Sequence, residues 1–320
     1  MAATGIREAT GVSAPAGLTT AGLTAATMVA FASNSLLCRA ALEGGHADAA
    51  SFTLLRLGGG ALALGLLARA LRTPETSART AWGSAVALFA YALAFSLAYR
   101  RVPAAVGALL LFAAVQLTMV LAGLRTGERP RAVEWVGHAL SVGGVVVLTR
   151  PGLARADPVG AALMLLAGAA WGVYSLRGRR VGHPVARNAA SFTRTLPLAL
   201  VAATTSATLG AAHVDAAGAS LALASGALAS GLGYALWYAA LRGLTATRAA
   251  LVQLSVPPLA AAGGVRLLRE VVSARLLVSG ALVLGGIALA VAGHARIVRE
   301  MHGSFARPRE LPSERSDGDR

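Results

Sequence analysis

The chain has 320 residues, 56% of them apolar and only 13% charged, and its mean hydropathy is +0.63. A soluble domain usually carries about 25% charged residues, so this composition belongs in a bilayer rather than in water. The net charge of +15 would suit nucleic acid, but it comes from arginines scattered along the chain, and no nucleic-acid partner is expected.

In chain order, residues 1–17 read as a polar cytoplasmic tail. The first apolar run, 18–41, exceeds the ~20 residues that cross ~30 Å of hydrocarbon. It is too long for a cleaved signal peptide, its basic start is weak, and similar runs follow. It carries Ser33 and Asn34. The second run, 49–71, holds Arg56 about two turns inside one end. The third, 81–99, carries Tyr91 and Phe95, and the fourth, 104–124, places Gln116 near its centre. The fifth, 133–149, contains His138.

After a short link, the sixth run, 158–176, carries Trp171 and Tyr174. The seventh, 189–210, has Arg194 about one turn from its start, and the eighth, 217–241, carries Tyr234 and Trp237. The ninth, 246–267, groups Gln253, Ser255, Pro257 and Pro258 near mid-depth, and the tenth is 272–295. Residues 296–320 read as a second cytoplasmic tail. Barrel strands would be ~10 residues long and would alternate polar with apolar, which these runs do not. The expected fold is an all-α polytopic membrane protein with ten transmembrane helices.

The string Ala49-Ala50-Ser51-Phe52-Thr53 returns 140 residues later as Ala189-Ala190-Ser191-Phe192-Thr193. At the same offset Ala30-Phe31-Ala32 falls on Ala170-Trp171-Gly172, and Gly143-Gly144 falls on Gly285-Gly286 at 142. A period this long marks a duplicated domain, here 18–149 and 158–295, rather than a solenoid. Two halves with an odd number of spans each must be inverted relative to one another. Most loop and tail arginines fall on the side that holds both termini, which places both ends in the cytoplasm. Trp82 and Trp135 begin spans on that side, as an interfacial aromatic belt would.

There is no lysine, so neither a phosphate-loop lysine nor a Schiff-base lysine exists. The single cysteine, Cys38, has a packing role, and the six histidines lack ligand-like spacing; no metal or other cofactor is expected. The acidic residues fall in loops, tails or first helical turns, so no carboxylate relay is expected at mid-membrane.

Several helix-end motifs resemble the EamA-type branch of the drug/metabolite transporter superfamily. Ala170-Trp171-Gly172, Tyr234-Ala235-Leu236-Trp237-Tyr238-Ala239, the stretch from Val256-Pro257-Pro258 to Arg269-Glu270, and Gly280 with Gly285-Gly286 carry the resemblance in the second half. The first half departs from the pattern, with Phe31-Ala32 in place of tryptophan-glycine, Arg39 near a frequent lysine, and Val115-Gln116 in place of Pro257-Pro258. Glu128 and Glu270 close equivalent helices. The resemblance implies two inverted five-helix repeats around a central cavity lined by the first, third and fourth helices of each. It also implies secondary transport of small metabolites, frequently as export.

Two prolines inside a span free the carbonyls of Gln253 and Leu254, which only protein or a wet cavity can satisfy. Gln253, Ser255 and the Pro257–Pro258 kink are therefore candidate site features. Asn34, Gln116 and Trp171 join them as substrate contacts, with Tyr91, Tyr234 and Trp237 as further lining. Arg56 and Arg194 either snorkel to the interface or act as gating residues or counter-ions for a substrate carboxylate. Glycine faces, including Gly58-Gly59-Gly60 and Gly285-Gly286, would permit helix sliding. The expected activity is alternating-access transport of an amino-acid-like or drug-like solute across the inner membrane, with the bilayer and a small molecule as partners and a homodimer allowed. The alternative is a membrane-embedded enzyme or lipid-modifying protein.

Overall fold

The computed structural model describes residues 20–73, 78–125, 127, 130–149, 157–178, 183–241, 244 and 252–305. Among them the chain is helical, and one isolated bridge, Ala47 to Val214, is the only extended pairing. The helices are α1 (Thr20–Glu43), α2 (Ala49–Ala70), α3 (Ala78–Tyr99), α4 (Ala104–Arg125), α5 (Ala132–Thr149), α6 (Pro158–Gly178) and α7 (Pro184–Thr208). Then α8 (Ala216–Ala224) runs through a π-helical segment, Ser225–Leu232, into α9 (Gly233–Leu241). The last two are α10 (Val256–Leu268) and α11 (Ala274–Phe305).

Local chemistry sets several of these starts. The Asp48 carboxylate accepts from the Ala50 and Ser51 N–H groups and caps α2, and Asp215 caps α8 through Gly218 N–H. Pro184 opens α7 at a position where a missing N–H costs nothing. Leu62, Leu66, Leu200, Val201 and Leu228 are all exposed, a surface suited to lipid tails.

Eight of the described helices are long and apolar enough to cross a membrane, against the ten expected. The other two depart for identifiable reasons. α7 is long, but Arg187, Asn188, Ser191 and Thr195 make it polar, and these side chains are buried inside the bundle. The described part of the ninth run is short, because a turn at Leu254–Ser255 separates Val252–Gln253 from α10. Pro257 and Pro258 thus sit in the first turn of a helix rather than kinking the middle of one. Residues 245–251 lie outside the described part. α11 continues to Phe305, ten residues beyond the expected end at 295.

The two halves pack through matching positions. α5 and α11 pair antiparallel: Gly137 lies against Gly286, Ser141 Oγ donates to the Val283 carbonyl at 3.2 Å, and Gly144 lies against Ser279. An offset of 142 maps Gly137 onto Ser279, Ser141 onto Val283 and Gly144 onto Gly286, so the contact set returns to itself. A Cβ at Gly137 or Gly286 would collide with the other's backbone, and glycine is what permits the approach. α2 and α7 also run antiparallel, with Gly60 against the Phe192 ring and Asp48 against Ser206. Gly58 and Gly285 have open space where a Cβ would project, so they are not part of these faces.

One end of the bundle gathers the junctions α1–α2, α3–α4, α7–α8 and α10–α11, together with the start of α6. Asp48 accepts from Ser206 Oγ at 2.9 Å and from His213 N–H at 3.1 Å, and His46 pairs with Asp215 at 2.8 Å. Arg101 pairs with Asp157 at 3.2 Å. Arg39 bridges Glu43 at 2.6 Å and Glu270 at 3.4 Å, while Glu270 accepts the first N–H of α4, from Ala104. Glu270 is thus an ion-pair partner at a helix end; Glu128 lies outside the described residues.

Candidate functional site

Arg56 is the most deeply buried cation of the described chain, 2% exposed, and it does not snorkel to an interface. Its Nη2 donates to the Tyr91 hydroxyl at 2.9 Å, and its guanidinium lies over the Phe95 and Tyr91 rings at 4.8 and 5.2 Å. Its Nε and Nη1 are buried without a hydrogen-bond partner among the described residues. Placing a charge at this depth costs roughly 2.5–3.5 kcal/mol. One charge-assisted hydrogen bond, about 1.5–3 kcal/mol, and two ring faces at about 0.5–2 kcal/mol each are enough to hold it there.

Tyr91 is the hub. Its hydroxyl accepts from Arg56 and also from Asn34 Nδ2 at 3.3 Å, and Asn34 Oδ1 in turn accepts from Ser225 Oγ at 2.6 Å. The Tyr91 ring stacks at 5.0 Å on Trp171, which stacks at 5.3 Å on Tyr234 and 5.5 Å on Tyr174. Phe31 then meets Tyr234 and Trp237 edge-on at 5.9 and 6.1 Å. The cluster therefore draws Asn34, Arg56 and Tyr91 from the first half of the chain, and Trp171, Ser225, Tyr234 and Trp237 from the second.

Backbone geometry positions Ser225. It opens the π-helical segment, and the following Gly226 lies so close to the Arg56 backbone that no Cβ would fit. Wide π-helical turns inside α-helices recur at functional sites because they re-aim side chains. Tyr174 donates to Asn188, and Arg187 stacks over the Tyr174 ring at 5.4 Å, extending the polar seam along α7.

Of the residues singled out from sequence, Asn34, Arg56, Tyr91, Trp171, Tyr234 and Trp237 meet in this cluster. Gln116 is half-buried on α4, and Gln253 is half-buried next to the turn before α10. Ser255 is exposed and its hydroxyl donates to the Val252 carbonyl at 2.6 Å. Pro257 and Pro258 line a different feature, an apolar groove of about 530 Å³ between α4, α10 and α11, edged by Arg266. Arg194 is half-buried and donates to the Ala190 carbonyl on its own helix, so it does not join Arg56. Cys38 is fully buried, in line with a packing role.

Ser225, Asn188 and Arg187 were not expected. The repeat held a signal for two of these neighbourhoods: an offset of 140 places Asn34 on Tyr174 and Asp48 on Asn188, and one of 143 places Tyr91-Ala92-Leu93 on Tyr234-Ala235-Leu236. The site thus uses corresponding positions from both halves. Nothing in the sequence marks Ser225, because a π-helical turn has no composition of its own.

The EamA-like transporter family matches the chain twice, over residues 18–150 and 158–292. The "Uncharacterized protein PA1977" of Pseudomonas aeruginosa is 54% identical over 271 residues, covering 84% of this chain and 93% of that protein. The "Uncharacterized inner membrane transporter YedA" of Escherichia coli K12 is 30% identical over 87 residues, 27% of this chain and 28% of that protein. A solved crystal structure of a protein superposes with a TM-score of 0.61 at 20% identity, over 85% of this chain and 98% of that one, which shows a shared fold. With two family repeats and its apolar spans, the chain is a multi-pass membrane protein that belongs to the EamA-like transporter family.

Proposed function

We propose that this transporter is a secondary carrier of a small organic solute, working by alternating access around the Arg56–Tyr91–Asn34 cluster. The observation that carries the reading is that both halves build the cluster. A site shared by two bodies is remade whenever one body rocks against the other. The antiparallel, self-mapping contacts of α5 with α11 support ten crossings in two inverted halves, related by an axis in the membrane plane. In this conformation the end carrying Arg39–Glu270, His46–Asp215 and Asp48–Ser206 is clasped, so the opposite end is the one through which solute would pass.

The clasped end holds Glu43, Asp48, Asp157, Asp215 and Glu270. Basic residues concentrate toward the other end in the sequence, which supports an outward-facing clasp, cytoplasmic termini and location in an inner membrane. Export is the direction this reading adopts.

The test is uptake into liposomes reconstituted with the purified protein, using a broad panel of organic solutes and empty vesicles as the baseline. Flux of at least one solute above that baseline, lost in a Tyr91→Ala variant, is the expected result. A panel in which nothing moves faster than through bare lipid overturns the carrier reading.

A further inference from the structure

We infer that the solute is an organic anion, a carboxylate on an apolar body and without a neighbouring ammonium, held by Arg56 and Tyr91; this rests on the cluster being the transport site. The polar groups around Arg56 sort by type. Arg56 Nε and Nη1 are buried, cationic and without partners among the described residues. The Tyr91 oxygen already accepts from Arg56 and from Asn34, which leaves its own proton to donate. Asn34 Oδ1 takes the Ser225 hydroxyl at 2.6 Å. What the cluster has left to offer on this side is three donor groups, Arg56 Nε, Arg56 Nη1 and the Tyr91 hydroxyl, two of them on a cation.

The counter-charge does not come from the described protein. Glu43 and Glu270 are held by Arg39, Asp157 by Arg101, Asp215 by His46 and the Gly218 N–H, and Asp48 by its cap and by Ser206. Glu134 lies in the first turn of α5, and the ring contacts of Arg56 are to Tyr91 and Phe95. A planar carboxylate matches the spacing of guanidinium donors in a way a neutral amide does not. The same arithmetic disfavours an ammonium, which would meet a like charge at Arg56 without a carboxylate beside it. The rest of the ligand would lie along Tyr91, Trp171 and Tyr234, three rings in continuous contact. The aromatic faces favour an apolar body, and the burial of Arg56 among them strengthens the charge pairing.

The experiment measures binding directly, by thermal shift and by calorimetry on the full-length protein in detergent. Four probes of one shape are compared: 3-phenylpropionate, its neutral amide, phenylalanine and phenethylamine. The expected order places 3-phenylpropionate at least tenfold tighter than the amide and phenylalanine, with phenethylamine weakest. Equal affinity for acid and amide, tighter binding of the amine, or no binding of the acid overturns the proposal. In Arg56→Gln the preference for the acid over the amide should vanish; an acid preference that survives also overturns the proposal. If that variant does not fold, the wild-type order alone decides. Binding in the expected order without flux into vesicles would retain the anion site and remove the carrier reading. Flux of solutes with no preference for acids would do the reverse.

Discussion

Arg39 on α1 reaches across the chain's two halves to Glu270, 3.4 Å away, and Glu270 spends its other contacts on the first N–H of α4. Both side chains are about one-tenth exposed, so the pair is shielded far better than a surface ion pair. Cys38, the residue before Arg39, is the sole cysteine and is fully buried. It is therefore a built-in reporter of this end. Glu270→Gln keeps an oxygen for the Ala104 N–H but removes the charge. Losing about 1.4 kcal/mol from the clasp would raise the open population about tenfold. The expected outcome is faster alkylation of Cys38 by a membrane-impermeant maleimide, and an unchanged rate would show that the pair does not hold this end shut.

Asp48 makes a second clasp, and its charge state gives it a pH dependence. Burial opposes ionisation of this carboxyl, but hydrogen bonds from Ser51, the His213 N–H and Ser206 outweigh it and hold the group below the ordinary aspartate range. A folded-state value that is depressed contributes stability above the unfolded value and loses it as pH falls through the folded one. Asp48→Ala should cost about 2–3 kcal/mol at neutral pH, from the lost cap and the lost charged hydrogen bonds. The gap in thermal stability between wild type and variant should shrink below about pH 4, where the unfolded aspartate gains its proton. A gap that stays constant down to pH 3 would mean the carboxylate charge is not what joins the two loops.

Much of this architecture could be read from the residues before any coordinates. Long apolar runs report helix ends well because a bilayer punishes exposed backbone and loop charge alike, and α4, expected at 104–124, spans Ala104–Arg125. The misses share a cause. Arg187 and Asn188 were left outside the seventh run because polar residues ended the apolar stretch, yet α7 starts at Pro184 and buries both. Pro257 and Pro258 were placed inside a helix because apolar character continues through them, and hydropathy cannot distinguish a continuous helix from one that restarts. Distance from a helix end leaves Arg56 either snorkelling to the interface or acting as a gating residue or counter-ion, and the choice depends on Phe95 and Tyr91, which come from another helix. Depth along one helix is legible in sequence; what packs beside that depth is not.

Neighbouring glycines give a contrast that tests the interface between α5 and α11. A Cβ at Gly286 would run into the Gly137 carbonyl, a backbone atom with no rotamer to yield, whereas Gly285 faces open space. Gly286→Ala should destabilise by about 1–3 kcal/mol through overpacking, and Gly285→Ala should be neutral or stabilise slightly through helix propensity. Thermal unfolding in one detergent checks both. Equal effects would show that the α5–α11 approach is looser than the contacts imply.

Tyr91→Phe separates the hub hydroxyl from the ring. The variant keeps the stacking on Trp171 and the face beneath Arg56, but it deletes the oxygen that accepts from Arg56 and Asn34. Arg56 would then lose its one hydrogen bond among the described residues while still paying for burial, a loss of about 1–3 kcal/mol. The consequence for transport is larger than for folding, because Asn34 is freed at the same time and its link to Ser225 loses a fixed partner. Initial flux should therefore drop by about tenfold or more in a variant that still reaches the membrane at normal yield. Tyr234→Phe makes a matched control: it alters the repeat-related tyrosine, whose contacts here are ring contacts with Phe31, Trp171 and Phe192. Its flux should change little. Equal losses in the two variants would mean that the rings, and not the Tyr91 hydroxyl, carry the contribution of this cluster.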